Sequence, residues 1–192
     1  MKFLALLFIS MSISCFSQGQ ILFVGNTQHV CVDSILPSAL ISPELPEELD
    51  PYDVIFIFSN ARSILSTDDQ YQLLEFLKQG KGLYLGSENW PLQAESNQLT
   101  EMLYTKKSWG NFDSPLAVAD STGILKDLHM FPAGNTTVAF PLDYRLKVEA
   151  WVNDEPLILS GEVHGGKLII DGGYSRFYCS SLHQESQKII KC

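Results

Sequence analysis

The sequence has no cluster of lysine and arginine anywhere in its 192 residues, and 13 basic side chains stand against 22 acidic ones for a formal net charge of −9. A chain of that sign repels phosphate backbones and anionic lipid, which excludes nucleic-acid binding and electrostatic adsorption to a membrane surface. No apolar run reaches the ~20 residues that cross a bilayer, so no integral membrane span is expected. There is no Cys-x-x-Cys and no paired His/Cys spacing of the kind that holds zinc, so no metal site and no cofactor are expected. No internal repeat and no low-complexity tract divides the chain.

What the N-terminus does have is an export signature. Met1-Lys2 precedes the short apolar run Phe3-Leu4-Ala5-Leu6-Leu7-Phe8-Ile9, and small residues follow at Ser10, Ser12, Ser14 and Ser17. That order is the charged, apolar and small-residue sequence of a cleavable signal peptide. Residues 1–17 are read as the signal and 18–192 as one α/β domain, exported to the periplasm or the extracellular space. Cys15 offers a lipid anchor as the alternative, although Ser12-Ile13-Ser14 departs from the usual Leu-led lipobox. The remaining cysteines are Cys31, Cys179 and Cys192. In an oxidising compartment one pair can bridge, Cys179 with Cys192 or Cys31 with Cys179, leaving one over; three free thiols are the other reading.

Ile21-Leu22-Phe23-Val24 and Val54-Ile55-Phe56-Ile57-Phe58 are continuous apolar runs, as strands buried on both faces are. Between them, residues 34–53 carry five acids and four prolines and read as a loop with at most a short strand over 38–41. Ser66 or Thr67, with Asp69 or Gln70 three residues on, opens a helix as a capping box. Leu73, Leu74, Phe76 and Leu77 give it an apolar face, and Gly80 and Gly82 end it. Leu83-Tyr84-Leu85 then returns as a third strand. Strand, helix, strand in this span is a βαβ unit with parallel pairing. A helix is expected over 93–104, a strand over 116–119 and a short helix over 124–128. The last third reads as β-structure over 136–140, 146–152 and 156–159, with a hairpin over 162–171 that turns at Gly165-Gly166. A terminal helix is expected over 184–191. The expected sheet is mainly parallel, with antiparallel β additions in the C-terminal third.

The stretch Tyr52-Asp53-Val54-Ile55, continuing through Leu73-Leu74-Glu75-Phe76-Leu77-Lys78-Gln79-Gly80-Lys81-Gly82-Leu83, resembles the class I glutamine amidotransferase-like superfamily. The nearest pattern is its non-catalytic branch, which includes gliding-motility auxiliary, intraflagellar-transport and trehalose-utilisation-like domains. Gly166-Lys167-Leu168-Ile169-Ile170-Asp171-Gly172-Gly173-Tyr174-Ser175-Arg176-Phe177 resembles the strand and Gly-Asp-Ser-Arg-Phe found near the end of such domains. The resemblance implies a flavodoxin-like, doubly wound sheet. Its catalytic members carry a cysteine nucleophile on the turn after the third strand, where this chain reads Gly86-Ser87-Glu88. They also carry a late His-x-Glu pair; His183-Gln184-Glu185 has the spacing but lies well beyond the strand ending at Asp171. Without the thiol, amidotransferase chemistry has no nucleophile.

In such a sheet, ligands bind beyond the carboxyl ends of the parallel strands. The polar residues there are Asn26 and His29, then Ser59, Asn60 and Arg62, then Ser87, Glu88, Asn89 and Trp90. Asp171, Tyr174, Ser175 and Arg176 join them only if the last strand is parallel. Ser87 on a strand-to-helix elbow can serve as a nucleophile with His183 as base, or simply turn the chain; the second glycine of Gly-x-Ser-x-Gly is missing. Glu88 is a general base if its pKa is raised, and a solvated carboxylate otherwise. Arg176 can grip an anion or pair with Asp171. Trp90 can stack on a ligand or pack at the rim. His164 sits in the hairpin turn, and the Asn135-Thr136-Thr137 sequon is a chance match in a chain whose signal is of bacterial style. Two functions follow. One is a non-catalytic binding module of the cell envelope that meets an envelope protein or small molecule through Asn26, Asn60, Arg62, Ser87, Glu88, Trp90 and Arg176. The other is a hydrolase of a small ester, amide or sugar, built on Ser87, Glu88 and His183.

Overall fold

Apolar residues that alternate between two faces of a strand need cover on both sides. In the strand Tyr52–Phe58, Ile55 and Ile57 belong to one buried cluster while Phe56 and Phe58 belong to a second on the opposite face. The computed structural model describes residues 19–62, 65–104, 106–113, 116–184, 186 and 189. The signal segment over 1–17, Cys15, Glu185 and Cys192 lie outside the described residues. So does most of the terminal helix expected over 184–191, of which Gln184, Ser186 and Ile189 are described and helical.

The chain begins with β1 (Gln20–Gly25), the four-residue α1 (Val32–Ile35), β2 (Leu40–Ser42) and β3 (Tyr52–Phe58). It continues through α2 (Thr67–Lys78), β4 (Gly82–Gly86) and α3 (Ala94–Tyr104). Six short to medium strands follow before the last: β5 (Trp109–Phe112), β6 (Leu116–Ala119), β7 (Met130–Pro132), β8 (Thr137–Ala139), β9 (Lys147–Val152) and β10 (Glu155–Val163). β11 (Gly166–Asp171) then leads into a 3₁₀ turn, Tyr174–Phe177.

Among the described residues, nine strands form one sheet in the order β2-β1-β3-β4-β11-β10-β9-β6-β7, and β5 pairs with β8 apart from it. β2, β1, β3, β4 and β11 are mutually parallel. From β11 onward the pairing is antiparallel. The three apolar segments of the first half are thus neighbours, with Phe23 opposite Phe56 and Phe56 opposite Tyr84. β11 settles the orientation that its residues alone left open. It is antiparallel to its hairpin partner β10 but parallel to β4. The hairpin turns at His164 and Gly165, both with positive φ, a geometry that suits the twist of two-residue hairpins.

α2 opens as its residues require. Ser66 Oγ accepts from the Asp69 N–H at 3.1 Å, and Asp69 Oδ2 accepts from the Ser66 N–H at 2.7 Å, satisfying two otherwise orphaned donors. Leu73, Phe76 and Leu77 of α2 join Leu99 and Tyr104 of α3 in the same cluster. α2 and α3 therefore cover one face. The opposite face is covered by α1, the segment around Leu125–Phe131, the 3₁₀ turn and Ile189. Among the described residues, the second face is covered by shorter pieces, with the helical Ile189 among them. The expected helix over 124–128 is a run of turns, with the Leu128 N–H bonded three residues back to Leu125. Asp120 draws the chain into a local turn just upstream, its Oδ1 accepting from the Thr122 N–H at 2.6 Å, and such bonds compete with helix formation. Among the described residues, no helix is long and apolar enough to cross a membrane.

Candidate functional site

The parallel strands end side by side, and the chain continues their ladder one step beyond the sheet. The Asn26 N–H bonds Phe58 O (2.9 Å), the Ser59 N–H bonds Gly86 O (2.9 Å) and the Ser87 N–H bonds Asp171 O (2.7 Å). The Tyr174 N–H then returns to Ser87 O at 3.2 Å. Four strand exits thereby share one rim, and the residues after β11 belong to it.

Those residues reach the rim because two glycines let them. A Cβ on Gly172 would stand 1.9 Å from Val138 O, and one on Gly173 would stand 2.0 Å from Ala133 O. Only a residue without a side chain fits either place. The chain can then turn Asp171 and Arg176 toward each other beneath the rim. Arg176 Nη1 donates to Asp171 Oδ2, and both side chains are fully buried. Asp171 Oδ2 also accepts from the Tyr84 hydroxyl at 2.6 Å, and Asp171 Oδ1 accepts from the Gly173 N–H at 2.9 Å. The rest of the guanidinium is spent on main-chain carbonyls: Nε on Pro132 O (3.0 Å) and Ala133 O (3.1 Å), Nη2 on Ala133 O. Burial and the neighbouring Asp171 push the Tyr84 phenol well above its ordinary range, so it is a permanent donor.

Glu88 anchors the second half of the network. It is 2% exposed. Oε1 accepts from the Ser175 N–H at 2.7 Å and Oε2 from the Thr136 hydroxyl at 2.9 Å. Thr136 Oγ1 lies 2.8 Å from Asn89 Oδ1, and Ser175 Oγ accepts from the Asn135 N–H at 2.7 Å. Gly134, at φ +138°, leaves the space that Glu88 Oε1 and Ser175 Oγ fill. Burial raises the Glu88 carboxyl to about 7, against the lowering pull of Ser175, Thr136 and the Arg176 charge. A third group ties the first strand exits together. Tyr174 Oη donates to Ser59 O and accepts from Asn26 Nδ2, each at 2.9 Å. Ser59 Oγ accepts from the Ser96 N–H at 3.0 Å, and Glu95 Oε2 from the Asn60 N–H at 2.6 Å. The first of these satisfies an N–H in the opening turn of α3, which has no partner within the helix.

The expected site residues separate into a sealed layer and an exposed one. Ser87, Glu88 and Arg176 are sealed. Ser87 is fully buried, and its Oγ has no hydrogen-bond partner among the described residues. His183, its expected base, is exposed. A carboxyl at about 7 would suit a general base, but both Glu88 oxygens already accept from the protein and almost none of the group meets solvent. Arg176 is not available to an anion, since it is fully buried and held by Asp171 and two carbonyls. Trp90 (77% exposed), Arg62 and His29 form the outer layer, with Asn26 and Asn60 half-buried between the two. Among the described residues, no group of three or more His, Cys, Asp or Glu could hold a metal. Of the disulfide candidates, Cys31 and Cys179 are described, both as free thiols.

Tyr84, Glu95 and Thr136 are the network members that sequence reading did not single out. Tyr84 sits inside an apolar run and Thr136 inside a sequon. The available signal was a polar residue within or just beyond a buried strand, since such groups are buried only with partners.

No protein-family model and no curated protein matches the sequence. Solved structures do match the fold. The mmIFT52 N-terminal domain superposes with a TM-score of 0.66 at 12% identity, over 90% of this chain and 94% of that one. A cytoplasmic protein from Salmonella typhimurium LT2 gives 0.62 at 16% identity, over 90% and 93%. A glutamine amidotransferase from Thermotoga maritima gives 0.55 at 9% identity, over 80% and 75%. At these identities the likeness is one of fold, and the fold is glutamine amidotransferase-like.

Proposed function

We propose that this chain is an exported, non-catalytic binding module of the cell envelope, built on the glutamine amidotransferase-like fold of the non-catalytic branch. The observation that carries this reading is Ser87. It stands on the turn where the resemblance places a nucleophile, yet its hydroxyl is fully buried and has no hydrogen-bond partner among the described residues. Around it, Glu88, Asp171 and Arg176 use their hydrogen-bonding capacity on each other and on the backbone. A rim arranged this way holds a surface in shape rather than presenting a reactive group. The surface it holds carries Trp90, Arg62 and His29, which suits recognition of an envelope protein or a small ligand by aromatic and cationic contact. Export rests on the Lys2-led apolar segment over 1–17.

Two measurements test this reading. Purified protein treated with a fluorophosphonate probe is expected to remain unlabelled; labelling that disappears in Ser87→Ala would restore the hydrolase reading. A photo-crosslinking amino acid at position 90 is expected to yield a discrete adduct in cells, while the same group at the exposed Tyr71 of α2 yields none. Equal behaviour at the two positions would remove the rim as the recognition surface.

A further inference from the structure

The loop leaving β1 and the segment leaving the 3₁₀ turn run antiparallel for one residue pair. Val30 bridges Tyr178. The Cys31 N–H donates to Phe177 O and the Cys179 N–H donates to His29 O, both at 2.9 Å. Val30 and Phe177 both join the buried cluster, and Tyr178 packs edge-on against Tyr174 with ring centroids 5.9 Å apart. Cys31 and Cys179 each stand one residue beyond the bridge, and their thiols are hydrogen-bond partners. Cys31 is half-buried and Cys179 exposed. Each thiol acts on the other: Cys179, together with the Ser34 hydroxyl 3.4 Å from Cys31 Sγ, holds Cys31 below the usual thiol range, while Cys31 pushes Cys179 up.

We propose that Cys31 and Cys179 form an intramolecular disulfide that staples the loop after β1 to the segment after the 3₁₀ turn. The oxidant is an exchangeable disulfide of a thiol–disulfide partner. The Cys31 thiolate attacks one sulfur of that disulfide and expels the first thiol, giving a mixed disulfide. Cys179, as thiolate, attacks Cys31 Sγ and expels the second. The protein loses two thiol protons and two electrons, and the partner's disulfide becomes two thiols. Cys31 is the attacking thiol because the larger thiolate fraction is on its side. The bond closes almost the whole domain into one loop, the case in which a cross-link restrains the unfolded chain most. It also fixes the two segments on either side of the Asn26–Tyr174 hydrogen bond, so it stiffens the rim irrespective of what the rim binds.

The test uses the purified full chain equilibrated in oxidised and reduced glutathione, alkylated with iodoacetamide and mapped by peptide mass. The expected product in oxidised glutathione is a Cys31–Cys179 linked peptide with Cys192 alkylated, unchanged in Cys192→Ser. Reduction is expected to lower the melting temperature by roughly 5–10 °C. Cys31 and Cys179 both alkylated throughout the series would overturn the proposal, as would a link made through Cys15 or Cys192. A Cys31–Cys179 link that leaves the melting temperature unmoved would overturn the staple.

Discussion

The two halves of the sheet differ in what lies at their strand ends. The parallel half, β2-β1-β3-β4-β11, ends in a dry network of acid, arginine, tyrosine and hydroxyl groups. The antiparallel half, β10-β9-β6-β7, ends in turns, and its outer strands leave Val118 and Met130 each 52% exposed. An aromatic row crosses the first half only. Phe23 stacks near Phe56 (4.7 Å between centroids), Phe56 near Tyr84 (4.9 Å) and Phe58 near Tyr174 (5.3 Å). Tyr84 and Tyr174 carry that apolar row into the polar network through their hydroxyls. The lesson is that the strand-end polar groups of this chain belong to the core, and that the capacity to recognise a partner was left to the residues outside them.

The largest expected effect follows from cutting the network. Arg176→Met leaves Asp171 buried without its charge partner, and should cost about 3–5 kcal/mol in urea unfolding. The matching cut at the β10–β11 hairpin, Lys167→Ala, breaks a pair whose side chains are 74% and 63% exposed and should cost less than about 1 kcal/mol. Equal losses would erase the contrast between the two.

Next comes pH. The folded Glu88 carboxyl holds its proton up to about 7, against an ordinary value near 4.5. Its contribution is therefore full below about pH 4.5 and is lost as pH rises through about 7. Stability, and with it the melting temperature, should fall over that window, the free energy of unfolding losing on the order of 3 kcal/mol from this one group. Glu88→Gln keeps an acceptor for the Ser175 N–H and a partner for Thr136, so it should fold and show a flatter profile. A profile as steep as the parent's would place the titration elsewhere.

Smaller still is the cap. Ser66→Ala removes the acceptor for the Asp69 N–H and should cost about 1 kcal/mol. At the antiparallel edge, Met130→Lys should change stability by less than about 0.5 kcal/mol, because the side chain is 52% exposed on the last strand of the sheet. A large loss there would mean that the edge is covered by something.

The same contrast explains what could be read from residues alone. In the parallel half, Ile21-Leu22-Phe23-Val24 and Val54-Ile55-Phe56-Ile57-Phe58 are apolar without interruption, and Ser66 with Asp69 marks the intervening helix, so the βαβ unit was legible. β6 and β8 fall where strands were expected, over 116–119 and 136–140, but β5 and β7, four and three residues long, are too short for a periodicity to register and were not expected. The orientation of β11 was undecidable because its hairpin to β10 says nothing about its other neighbour. In the site, the positions were legible and the roles were not. Glu88 and Arg176 look alike in sequence whether they face solvent or each other; Gly172 and Gly173, which admit the close approach of Val138 and Ala133, decide the matter, and their partners lie more than thirty residues away. On the second face, α1 has four residues, and the segment around Leu125–Phe131 packs beside it.

The measurement that bears most directly on the account is native-state hydrogen exchange at the strand exits. The amides of Ser59, Ser87, Tyr174 and Ser175 should exchange as slowly as those of β3 and β4, opening only with global unfolding. Exchange at these four amides as fast as at the exposed Tyr144 would contradict it, since a rim that opens freely is not held by the Glu88 and Asp171–Arg176 network.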